Sequence, residues 1–198
     1  MTDESGREWL VISVSTAGAP GTLRVRVWRK LRSLGALYLQ QSVCLLPAHD
    51  EVVRQVRRLA DRVRHEGGTA RVLRMRFSDS AEEQAIVDEL NAARDAEYAE
   101  VLDRLPALRE ELAHERARGR ATYAEVEESE ADLARFRAWL TKIAARDYFQ
   151  APGGQAARDA VDEAAADLAA FEQAAFHAEE PDPDSRRSPR RLRAVTDS

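Results

Sequence analysis

The sequence predicts an α+β chain: a small domain of strands and helices, followed by a segment made of helices alone. Two observations carry that expectation. Short β-branched apolar runs alternate with helix-period stripes over the first 80 residues, and near-heptad stepping takes over after them. Charge divides at the same place. Residues 20–78 hold 13 Lys/Arg against four Asp/Glu, a net of +9, whereas residues 81–180 hold 11 against 24, a net of −13.

Trp9–Ser15 (WLVISVS) is an apolar run closed by the breakers at 17–21, and it reads as a buried strand. Leu23, Val27, Leu31 and Leu34 then recur at helical spacing until Gly35 stops them. Residues 36–46 read as two strands meeting near Gln41, with Pro47 as terminator. A second helix over about 50–66 carries Val52, Val56, Leu59 and Val63, and Gly67-Gly68 ends it. In the last strand Leu73, Met75 and Phe77 share one face, with Arg74 and Arg76 exposed on the other. The order β-α-β-β-α-β is ferredoxin-like, a split βαβ arrangement with helices on one sheet face. This basic domain is expected over residues 8–79, with Trp9 and Trp28 in its core.

Ser80–Glu83 has the form of a capping box and opens an acidic helical segment over 80–179. Ile86, Leu90, Ala93, Glu97, Val101, Leu105, Leu108 and Leu112 step by threes and fours, a seam with one polar interruption. Pro106 should kink or restart the helix. Gly119 marks a turn, and Thr122–Glu125 supplies a second capping box. The next helix carries Val126, Leu133, Phe136, Leu140 and Ile143 to near Pro152, with Trp139 as a lock between helices. A third, over about 155–178, presents Val161, Leu168, Phe171 and Ala175. The first two should form an antiparallel helical hairpin with the third across them. Residues 180–198, rich in Pro, Asp, Ser and Arg, are expected to be disordered.

Several function classes find no support. There is no secretory leader pattern and no apolar run near 18 residues, so a cytoplasmic chain without membrane contact is expected. Cys44 is the single cysteine, inside an apolar strand, which excludes an internal disulfide and reads as a small core residue. His49, His65, His114 and His177 lie at no zinc-ligand spacing. Ser13, Ser15 and Ser42 lack a His or Lys at motif spacing. No catalytic residue, metal or cofactor is assigned, and a non-enzyme is expected.

The candidate site is an arginine surface: Arg26, Arg29 and Lys30 in the first helix, with Arg54, Arg57, Arg58 and Arg62 in the second. All lie largely off the apolar stripes. Guanidinium groups on one exposed surface neutralise phosphates and release condensed counterions, so the expected partner is double-stranded DNA. Competing readings are a solvated face, or pairing with the chain's own acidic helices or a second subunit. Arg74 and Arg76 lack the stacking aromatics of an RNA-binding sheet and should instead dock the helices or another subunit. In Arg94-Asp95 and Arg146-Asp147, adjacent side chains diverge by about 100°, so each should bond elsewhere, by default across helix contacts. Arg94 and Arg146 are also candidates for oxyanion sensing, since chromate or sulfate is held by arginine forks.

The motifs WLVISVS, R-x-R-V-W-R-x-L-R-S-L-G-A-L and QQSVCLLP, with RDAEY at 94–98, TYAEVEESEADL at 122–133 and RAWLTKIAARDYF at 137–149, resemble the N-terminal part of ChrB-type chromate-resistance regulators. The resemblance covers about residues 8–175. It implies a cytoplasmic regulator of chromate resistance that binds promoter DNA and responds to chromate. A homodimer is a separate expectation, in which the helical hairpin would set the orientation of two domains. Typical ChrB proteins continue into a second domain, so this chain is expected to represent the N-terminal module. The alternative is a protein-interaction module that uses its acidic helices. For the first 80 residues, LQQSVCLL is also similar to the CRISPR-associated small ferredoxin-like nucleases and the phenylacetate-repressor domain. That branch carries an aspartate where Val14, Ser15 and Thr16 stand here, which makes a metal-dependent nuclease the least favoured reading.

Overall fold

In a computed structural model, residues 6–118 and 122–179 are described, and the turn expected at Gly119 and the tail over 180–198 lie outside them. The elements are β1 (Trp9–Ser15), α1 (Gly21–Ser33), β2 (Leu37–Gln40), β3 (Val43–Pro47), α2 (Asp50–His65), β4 (Thr69–Met75), α3 (Ser80–Ala117), α4 (Tyr123–Ala144) and α5 (Gly153–Glu179). The sheet runs β2-β3-β1-β4, antiparallel throughout. β3 is inserted between the parallel β1 and β2, which is the ferredoxin-like order the sequence predicts.

Pleating separates two layers. Leu10 and Ile12 oppose Leu46 and Cys44, and this face packs on Leu23, Val27, Leu31, Val56 and Val63 of the two helices. Trp9 and Leu45 point to the other face. There Trp9 is fully buried against Val87 and Leu90 of α3, with Phe77 and Phe149 around its ring. The indole N–H donates to Glu83 Oε1 at 2.7 Å. The helical half therefore docks on the sheet face opposite α1 and α2.

β4 alternates as expected, with Leu73 and Met75 on the Trp9 face and Arg74 on the other, but its arginines do not dock the helices. Arg74 opposes Leu10, so it lies at the edge of the α1–α2 side, where it pairs with Glu8 at 2.5 Å, and Arg76 reaches the same carboxylate at 3.7 Å. The partner is thus the strand's own neighbour rather than the acidic helices. Leu73, on the other face, stays exposed because α3 covers only the Trp9 end of the sheet.

The α3 seam also shifts. Val87, Leu90, Arg94, Tyr98, Val101, Leu105, Leu108 and Leu112 are buried, which displaces Ile86, Ala93 and Glu97 by one position. The interrupting polar residue is Arg94. Pro106 neither ends nor restarts the helix, which runs unbroken over 80–117. Asp79, rather than Ser80, is the N-cap and accepts from the Ala81 N–H at 2.8 Å, while Glu83 is engaged by Trp9. The Thr122–Glu125 capping box forms as expected.

Helix α5 does not cross the hairpin. Asp95 meets Gly153 and Arg109 meets Glu163 and Asp167, so α5 ascends beside α3 in the same direction, with α4 antiparallel to both. Trp139 is half-buried, stacked on Phe136 and under the Arg104 guanidinium. Among the described residues no helix is long and apolar enough to cross a membrane.

Candidate nucleic-acid interface

The α1–α2 layer forms because both helices bury one valine-leucine stripe against the sheet, which turns every arginine off that stripe outward. Arg26, Arg29, Arg54, Arg57, Arg58 and Arg62 are all exposed, and Lys30 is half-buried. These residues lie on the two helices that cover the sheet face away from α3–α5.

Pairing divides the seven. Arg26 donates to Glu66 at 2.7 Å, tying α1 to the end of α2. Lys30 donates to Gln55 across the same gap. Arg54 forks onto Glu51 one turn earlier, at 2.6 and 3.0 Å, and holds that carboxyl below its ordinary value. Arg29, Arg57, Arg58 and Arg62 form no ion pair or side-chain hydrogen bond among the described residues. No carboxylate of α3–α5 pairs with α1 or α2 among the described residues either. Their partners are Arg7 and arginines of the helical half itself. The acidic segment does not neutralise the basic layer.

The two Arg-Asp pairs lie at the joint between the halves. Asp95 accepts from the Gly153 N–H at 2.7 Å, and Asp147 accepts from the Ala151 N–H at 2.9 Å and the Tyr98 hydroxyl at 3.0 Å. Both carboxylates thus secure the entry to α5. Arg94 and Arg146 converge on one carboxylate, Glu97, with Arg94 at 2.9 Å. That side chain bridges the two guanidiniums, one carboxylate oxygen to each. Arg94 is 8% exposed, and its Nε and Nη1 find no acceptor. Burial draws its pKa below the ordinary guanidinium value, against the pull of Glu97.

Two buried acids give the fold an alkaline limit. Burial, then the hydrogen bond to Asp147, pushes the Tyr98 phenol from 10.0 to about 12, and burial pushes the Cys44 thiol from 9.0 to about 12. The native state keeps these protons where the unfolded chain has released them. Stability is therefore whole below about pH 9 and is lost as pH climbs to about 12. Melting temperatures across that window should fall, and Tyr98→Phe or Cys44→Ala should each flatten the decline. Variants that keep the full wild-type slope would refute the assignment.

Trp28 does not join the core. It is 46% exposed, with Arg32 over its ring at 5.1 Å. One signal was available: it follows Val27 of the buried stripe, which sets it about 100° round the helix from that stripe. Arg24 shares that flank and is exposed too.

Comparison with known families decides the kinship, because the family model described as "Protein ChrB, N-terminal" matches residues 24–182. The chain belongs to the ChrB N-terminal family. The match begins inside α1 and passes the end of α5, so the basic layer and the acidic helices are parts of one ChrB unit. Membership associates the chain with chromate resistance. No curated protein and no solved structure matches it.

Proposed function

We propose that this ChrB-family chain is a DNA-binding transcriptional regulator of chromate resistance, without catalytic activity, in which Arg29, Arg57, Arg58 and Arg62 contact duplex phosphates. One observation carries the reading. In a chain with 35 acidic residues against 30 Lys/Arg, four guanidiniums on the exposed helix layer form no ion pair among the described residues. A net charge of −5 would repel a polyanion unless the positive groups were gathered on one side. The helices supply that gathering, and the sheet holds the carboxylates of α3–α5 behind it.

The test is a salt titration of binding to a promoter duplex. Each phosphate contact contributes about −0.9 to the slope of log affinity against log salt. Arg57→Ala with Arg58→Ala should make the slope shallower by about 1.8 and leave the melting temperature unchanged. A wild-type slope near zero would overturn the reading and favour a protein partner for the acidic helices.

A further inference from the structure

A groove of about 820 Å³ opens between the flank of α1 that faces away from α2 and the β2–β3 edge, reaching the tip of β1. Its walls divide by chemistry. Trp28 and Tyr38 present aromatic surface at its mouth, 46% and 38% exposed. The stacking of Arg32 on Trp28 restrains the indole. Gln41 and Ser42, from the β2–β3 turn, bring an amide and a hydroxyl to the same space. Arg24 and Arg29 add two guanidiniums with no ion pair among the described residues, and no Asp or Glu lines the groove.

Aromatic faces, hydrogen-bonding groups and uncancelled positive charge correspond to the three parts of a nucleotide. The base needs a π surface and partners for its polar edge, and the phosphate needs arginine. A base inside a duplex cannot offer its face, because its neighbours in the stack cover it. An unstacked one can.

We propose that this groove takes one nucleotide unit with its base unstacked, the base against Trp28 and Tyr38 and the phosphate on Arg24 and Arg29. The same chemistry has two sources, an unpaired nucleotide within a strand or a free nucleoside monophosphate. The inference does not rest on duplex binding, since Trp28, Tyr38 and Arg24 are assigned no duplex contact; Arg29 alone is shared by the two readings.

The experiment measures anisotropy of a labelled oligothymidine strand on the full chain, beside an abasic strand of equal length and competition by AMP and by inorganic phosphate. Stacking of one base predicts a loss of roughly 5- to 100-fold in strand affinity for Trp28→Ala, with the melting temperature kept because the side chain is exposed. Competition by AMP that weakens equally in the variant identifies a free nucleotide as the source; strand binding without competition identifies an unpaired base. Absence of binding by both, abasic binding as tight as the thymidine strand's, competition by phosphate as strong as AMP's, or an unchanged Trp28→Ala affinity overturns the proposal. Arg57→Ala with Arg58→Ala should lower duplex affinity and spare the groove, so the two readings fail separately.

Discussion

Trp9→Ala should destabilise the chain by about 3–5 kcal/mol, the largest effect expected of any single substitution described. The ring is fully buried, flanked by Phe77 and Phe149, and closes on Val87 and Leu90 of α3. It is the largest side chain of the apolar cluster that joins the sheet to the helical half, with Leu37 and Met75 beside it. Trp9→Phe separates the two roles of the residue. The smaller ring keeps much of the packing but leaves the nearly buried Glu83 carboxylate without its indole donor and with Arg7 at 3.9 Å. An unsatisfied buried acceptor costs about 1–3 kcal/mol. Chemical denaturation of both variants measures the difference. A loss below about 1 kcal/mol in Trp9→Ala would show that the joint does not depend on this side chain.

Gly35→Ala should cost about 2–4 kcal/mol, for two independent reasons. Gly35 has φ +71, in the left-handed region where a side chain is strained. A Cβ there would also come within 2.6 Å of Arg94 Nη1 and 3.0 Å of Arg146 Cβ. Those atoms cannot move aside freely, because both guanidiniums are tied to Glu97. Combining the change with Arg94→Met should recover part of the loss, since the closest clash is then removed while the backbone strain and the Arg146 contact remain. Full additivity in the double-mutant cycle would refute the contact.

Period and punctuation made the α+β order legible. Every strand and helix expected of the first domain is present, since its stripes, Gly35 and the Gly67-Gly68 pair mark boundaries that local chemistry enforces. Faces were harder to read. The α3 stripe is displaced because Arg94 is buried, and no hydropathy pattern anticipates a buried arginine that pairs with Glu97 on the same helix. Pro106 stays inside its helix although its ring removes one backbone hydrogen bond; Leu105 and Leu108 on either side remain locked in the bundle core. Trp28 illustrates the opposite error. A tryptophan suggests burial by its size, but its angular position on α1 places it at the rim of a groove. The arginine layer was visible as composition. Which of its members form ion pairs depends on Glu51, one helical turn from Arg54, and on Glu66, whose reach to Arg26 only three dimensions reveal.

The docking of the acidic bundle behind the sheet separates charge within the described residues, with the positive side on α1 and α2. In the field of any extended polyanion such a body feels a torque before it feels contact, and it arrives with those two helices leading. The same polarity repels an approach from the bundle side. With a polyanionic partner, orientation would thereby be selected during the encounter, before any side chain makes contact.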